Sequence, residues 1–276
     1  MRMSVVPLIF FDDIAIRRTR TLGEVAGIVK DLGAEGIEAY YKYFDDLEPG
    51  TLDAQKKAVT EQGIEFSSFC SGPDFSHPDP DTRRNEIDTF KRHIDAAAYL
   101  GCPTIRMTAG QGHPGVDIDD AVEWVVEGFT ESVEYAEGTG VVCAYEDHYK
   151  DYYWDHPDVS FDPDVFLRIV ERMRGSAMRV NFDSSNPVMA ERDPVPILEA
   201  VKDLVVNVHM SDRITAGRYE HADVGDGIVG FDAIFEILHE IGYDGWVAVE
   251  YNGLNGVPGL RKSLEFASGL IHGTES

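Results

Sequence analysis

Four residues are suited to shared chemistry because each closes a short apolar run. Glu146 ends Val-Val-Cys-Ala-Tyr-Glu, Asp183 ends Arg-Val-Asn-Phe-Asp, His209 ends Val-Val-Asn-Val-His and Glu250 ends Trp-Val-Ala-Val-Glu. Continuous apolar runs of this length read as strands covered on both faces. A single acid at a strand end is ordinarily a helix cap or a surface charge. Ligand-type side chains at four successive strand ends, all at one level, form a set. Three carboxylates brought together repel one another unless they share a cation or protons. A divalent metal is the simplest resolution. Oxygen-rich ligation with one imidazole and no thiolate points first to Mn²⁺, with Mg²⁺ or Co²⁺ as alternatives.

The elements that would hold these residues repeat along the chain. Strand-like runs at 5–11, 36–39, 64–69, 104–108, 141–145, 177–182, 204–208 and 246–249 alternate with helical spacing. Ile87, Phe90, Ile94 and Ala97 share one helix face, and Phe231, Ile234, Phe235 and Leu238 share another. Gly33, Gly63, Gly101, Gly140 and Gly242 stand just before the next strand, where glycine commonly ends a helix. Eight runs in 276 residues give one unit per about 34, the span of a βα repeat. Alternating units imply a parallel sheet. Without a linker or a shift in composition, the expectation is one domain over residues 1–276, an α/β (β/α)8 TIM barrel. An open nucleotide-binding sheet would carry a glycine-rich loop after its first strand, and Asp-Asp-Ile-Ala follows Phe11 instead. In a barrel the active site lies at the C-terminal ends of the strands, where the four residues stand.

Charge narrows the partners. Fifty acids against 24 Lys and Arg leave −26, a field that repels phosphate backbones and anionic headgroups. Nucleic acid and membrane surfaces are therefore excluded as partners, and a strongly acidic surface suits a salt-rich cytosol. Three widely spaced cysteines without a CxxC pattern indicate a reduced, cytoplasmic setting. There is no signal-like segment and no apolar stretch of membrane-spanning length. Nucleotide-hydrolysis, serine-hydrolase and HExxH zinc motifs are missing too.

The strand-end set, the Leu-Gly-Ala-Glu-Gly-Ile-Glu run ending at Glu38, Gly225-Asp-Gly, Phe231-Asp-Ala-Ile-Phe-Glu-Ile-Leu and Ile-Gly-Tyr-Asp-Gly-Trp…Glu250 resemble the xylose isomerase-like TIM barrels. Within these the sequence is most similar to the sugar phosphate isomerase/epimerase group. The resemblance implies one divalent ion held by Glu146, Asp183, His209 and Glu250. It also implies that Glu146 and Glu250 act as the acid–base pair. Two positions depart from the epimerase pattern: Asn186 stands where a histidine is common, and His221 where an arginine is common. Endonuclease IV-type repair enzymes share the resemblance, but the strands ending at Cys70 and Thr108 lack the histidines a three-zinc site needs.

The segment after Glu146, residues 147–157, is polar and aromatic. His148, Tyr149 and Trp154 are expected to face a small sugar or keto-sugar substrate, together with Asn186, Arg218 and His221. Tyr40, Tyr41 and Tyr43 are candidates for the same cavity. The expected reaction is metal-dependent isomerisation or epimerisation through an enediolate. A lyase, either a dehydratase or an enzyme cleaving C-glycosides after oxidation, is the alternative on the same site. A non-catalytic sugar-binding barrel is a third reading, opposed by the intact Glu146 and Glu250. A homo-oligomer is compatible with all three.

Overall fold

A computed structural model describes residues 1–273; residues 274–276 of the expected domain lie outside the described residues. Eight parallel strands close into one barrel: β1 (Arg2–Val6), β2 (Gly36–Tyr40), β3 (Glu65–Cys70), β4 (Thr104–Met107), β5 (Val142–Glu146), β6 (Arg179–Asp183), β7 (Val205–Met210) and β8 (Trp246–Glu250). The seam is formed by β1 pairing with β8, from Arg2 opposite Trp246 to Val6 opposite Glu250. The fold is therefore the (β/α)8 barrel that the alternation of runs predicts.

Outside the strands lie α1 (Leu22–Asp31), α2 (Pro49–Thr60), α3 (Pro80–Leu100), α4 (Ile118–Ala136), α5 (Pro163–Met173), α6 (Asn186–Met189), α7 (Pro194–Val201), α8 (Phe231–Glu240) and α9 (Gly256–His272). Their starts account for some of the acidity. Asp79, Asp117, Asp162 and Asp193 are N-caps whose carboxylates accept from backbone N–H groups of the first turn, and three are followed directly by Pro at the first helical position. Gly101 closes α3 at φ 88°, a left-handed conformation that costs other residues more. No helix among the described residues is long and apolar enough to cross a membrane.

Alternation along the strands sorts the side chains. Val5, Ile37, Phe69, Ile105, Tyr145, Phe182, Val208 and Val247 are buried beneath the helices. The other set fills the barrel and is unusually polar: Glu38, Arg106, Glu146, Asn181, Asp183, Asn207 and His209 are all buried. They are linked by hydrogen bonds, with Asn207 Nδ2 donating to Glu38 Oε1 at 2.8 Å and to Asn181 Oδ1 at 2.6 Å. Buried polar groups persist only when partnered, so this interior is built for a site at the expense of packing.

One boundary differs from the sequence expectation. The apolar run 5–11 reads as a single strand, yet β1 stops at Val6 because Pro7 has no N–H for the ladder. A tight turn over Leu8–Phe10 and a π-helical turn over Asp12–Ile16 follow. They carry Leu8, Ile9 and Phe11 onto the wall of the cavity above the strands.

Candidate active site and metal centre

Glu146, Asp183, His209 and Glu250 converge at the C-terminal end of the barrel, each offering an atom within 4.8 Å of those of the others. Strand register brings them together: Asp183 pairs directly with His209, and β5 and β8 place the two glutamates on either side. His209 Nδ1 lies 2.7 Å from Glu146 Oε1 and 3.0 Å from Glu250 Oε2. It lacks the alignment for a hydrogen bond to any described residue. Its other nitrogen, Nε2, sits 3.2 and 3.1 Å from the two oxygens of Glu38. The Glu38 carboxylate at Nε2 fixes the ring so that Nδ1 faces Glu146 and Glu250, the orientation of a metal-ligating histidine.

The carboxylates are held differently. Asp183 Oδ1 accepts from the backbone N–H groups of Ser185 and Asn186, both at 2.7 Å, while Ser211 Oγ lies 3.0 Å from each carboxylate oxygen. Burial, reinforced by Glu250 and Glu146, raises its pKa to about 6. Glu146 accepts from Arg106 Nη1 at 2.8 Å and from Asn181 Nδ2 at 3.1 Å. Burial pushes its carboxyl upward, but Arg106 and His209 outweigh that and hold it well below the usual range. Glu250 keeps 18% of its side chain exposed and faces the cavity. Burial opposes charge on the His209 imidazole as well, yet Glu38 and Glu146 raise its pKa well above the ordinary value. The cluster's field thus demands positive charge at this point. The orphaned Nδ1 and the oxygen-rich donor set fit a divalent cation held by all four residues.

Above the cluster opens a cavity of about 610 Å³. Glu38, Cys70, Arg106, His209 and Glu250 form its floor. The β5–α5 loop overhangs it, anchored by Asp151, whose two oxygens accept from Tyr40 Oη at 3.1 and 3.2 Å and lie 3.7 Å from Arg106 Nη2 at the nearest.

Of the expected substrate contacts, His148 and Tyr149 line this cavity. His148 Nδ1 lies 3.4 Å from Asp158 Oδ2, and Tyr149 stands between Phe161 and Tyr219. Trp154, Asn186, Arg218 and His221 are not among the residues that line it. Trp154 is buried beneath the loop with its ring edge-on to His148 at 5.5 Å. Asn186 starts α6, and its backbone N–H serves Asp183. Arg218 is exposed on the β7–α8 loop. His221 is buried against Tyr219 at 5.1 Å, where desolvation and nearby Arg213 lower its pKa to about 3 and keep it neutral. Asp212 accepts from the backbone N–H groups of Arg213, Gly225, Gly227 and Val229, and so shapes that loop. Tyr40 and Tyr43 reach the cavity, whereas Tyr41 packs on His93.

Sequence reasoning about site chemistry missed Glu38, Arg106 and Asp151. The signal for the first two was present: a charge inside a continuous apolar strand, as in Gly-Ile-Glu-Ala-Tyr or Thr-Ile-Arg-Met, must find a buried partner. Glu38 orients the His209 ring, so Glu38→Gln is expected to weaken metal affinity about 10–100-fold. Competition with a fluorescent chelator measures it, and unaltered affinity would remove Glu38 from this role.

Comparison with known proteins supports the barrel fold. The family described as xylose isomerase-like TIM barrel matches residues 27–269. A Streptomyces coelicolor protein provisionally named hydroxypyruvate isomerase is 25% identical over 236 residues, covering 79% of this chain and 81% of its own. An inosose dehydratase from Geobacillus kaustophilus is 23% identical, with 90% of this chain and 86% of that one covered. Among solved structures, a D-tagatose 3-epimerase-like protein superposes with a TM-score of 0.80 over 99% of this chain and 97% of its own, at 18% identity. The chain belongs to the xylose isomerase-like TIM barrel family.

Proposed function

We propose that the protein is a divalent-metal-dependent isomerase or epimerase of small sugars or keto-sugars, with Mn²⁺ its first-choice ion. The observation that carries this reading is the convergence of Glu146, Asp183 and Glu250 around an imidazole nitrogen left without a hydrogen bond, at the floor of a cavity. A bound divalent ion supplies Lewis acidity toward a carbonyl and its neighbouring hydroxyl, making the adjacent C–H acidic enough to ionise near neutral pH.

The chain's own groups divide the remaining work. Glu250 faces the cavity and takes the proton from carbon, leaving an enediolate. Glu146, fixed by Arg106 and Asn181, is assigned as its partner; held ionised by that pairing, it takes up a proton from solvent before returning one to the enediolate. Return to the opposite face gives an epimer, and return to the neighbouring carbon gives an aldose–ketose isomer. Asp183 and His209 serve as ligands. The overhanging loop limits water at the floor.

Expulsion of a group β to the same enediolate would make the protein a lyase. The dehydratase relative and the placement of His148 on the cavity wall support keeping that outcome within the test. Incubating the metal-loaded protein with keto-sugars and oxidised glycosides in D₂O, followed by NMR, is the experiment. Loss of one C–H signal with an epimer or isomer as product is expected. A released aglycone or alkene would replace the assignment with the lyase, and absence of exchange in every compound would remove both.

A further inference from the structure

The cavity has two unlike halves. Its floor is charged, with Glu38, Arg106, His209 and Glu250, whereas the wall raised by the chain after β1 begins apolar, with Leu8, Ile9 and Phe11, before Asp12, Asp13 and Arg17 follow on the lining. Phe11 is the hub of a ring cluster. Its centroid lies 4.8 Å from Tyr152, 5.9 Å from Tyr40, 6.2 Å from Tyr43 and 6.4 Å from Tyr153. Tyr152 reaches over this wall from the β5–α5 loop and remains 67% exposed.

Size and polarity together constrain the ligand. A free hexose occupies roughly 200 Å³ at protein-like packing, about a third of the 610 Å³ enclosed. Hydroxyls pushed against Leu8, Ile9 and Phe11 would lose water and gain no partner, at a cost of about 1–3 kcal/mol each. A second sugar ring avoids that cost only by aiming its hydroxyls away from these three, toward Asp12, Asp13 or Arg17. Anionic groups are poor occupants, because Asp12, Asp13, Glu38, Asp151 and Glu250 outnumber the bases Arg17, Arg106 and Lys150 along the lining, and Arg17 and Arg106 are already paired with acids. An uncharged aromatic group meets neither objection, and rings at these separations favour the edge-to-face and offset contacts it would make.

We propose that the substrate is a glycoside-type sugar whose ring lies at Glu250 and His209 and whose aromatic substituent lodges against Phe11, Leu8, Ile9 and Tyr152. This rests on the sugar-processing reading above and names the substrate class of the same site. The π-helical turn at Asp12–Ile16, a rare device that recurs at functional sites, begins at the residue after Phe11 and brings Asp12 and Asp13 to the cavity.

Isothermal titration of the Mn²⁺-loaded protein with phenyl β-D-glucoside and methyl β-D-glucoside tests it without turnover. Phenyl glucoside is expected to bind about tenfold tighter, the factor that seating one ring among others gives. Tyr152→Ala should cut that preference about threefold or more, while Tyr152→Phe should retain it. Because Tyr152 is exposed, the substitution leaves the core intact. Equal binding of the two glucosides, binding of neither, or a preference that Tyr152→Ala does not move would each overturn the proposal. Deuterium exchange on keto-sugars without a phenyl preference would remove only the aromatic subsite; a phenyl preference without any exchange would remove only the isomerase reading.

Discussion

Replacing Glu250 by Gln is expected to slow solvent exchange of the substrate C–H by about 10³-fold, or about 4 kcal/mol in barrier height. Of the two strand-end glutamates, Glu250 faces the cavity, while both oxygens of Glu146 are engaged by Arg106 and Asn181. Glutamine keeps the shape and a carbonyl oxygen but cannot accept a proton. A proton-transfer role therefore predicts a fall in kcat with little change in metal content. Exchange in D₂O read by NMR, beside metal analysis of the same sample, separates the two. If the variant retains metal and exchanges at the parent rate, the base is elsewhere. If it loses the metal, Glu250 is mainly a ligand. Glu146→Gln is expected to do both, since its oxygens also tie Arg106 to the cluster.

Removing the ion should have the broadest effect. Purified protein should carry about one divalent ion per chain, and dialysis against EDTA should bring exchange to background. Stability should fall as well, because an ion held at a hundred times its dissociation constant contributes about 2.7 kcal/mol. For a chain of this length that corresponds to a melting temperature lower by roughly 5–10 °C. The direction follows from the charges: without the ion, the buried carboxylates of Glu146 and Asp183 and the half-buried one of Glu250 face one imidazole and one guanidinium. Mn²⁺ should restore both properties. Protein that holds no metal and is indifferent to EDTA in both activity and melting would refute the centre.

The barrel was legible because its strands are buried on both faces and apolar on the face beneath the helices, so each stands out as a short run between helical segments. The ligand set was legible for a related reason: a polar residue ending such a run has one place to go in a barrel. Pro7 was a readable stop, but the apolar residues beyond it mimic a continuing strand. Glu38 and Arg106 lie within runs, and which partner each meets depends on register across the barrel: β2 lies across the barrel from β7, and β4 beside β5. Loop residues were least accessible to sequence reasoning. Trp154 and His148 are six positions apart on one loop, yet the second faces the cavity while the first supports it from behind. Nothing in their order encodes that turn.

The acids and the imidazole stand on strands, while the apolar wall stands on the chain after β1 and on the β5–α5 loop. The two sets are therefore carried by different parts of the fold. A strand position cannot shift without disturbing the closed hydrogen-bond ladder, so the strand-borne set is held in place by the barrel itself. The segments at the rim are tied down by a few contacts such as Asp151 to Tyr40 and can be exchanged at small cost to the barrel. Such a division lets one catalytic floor serve many ligands, and it identifies the rim as the part to graft when the specificity of this scaffold is to be redirected.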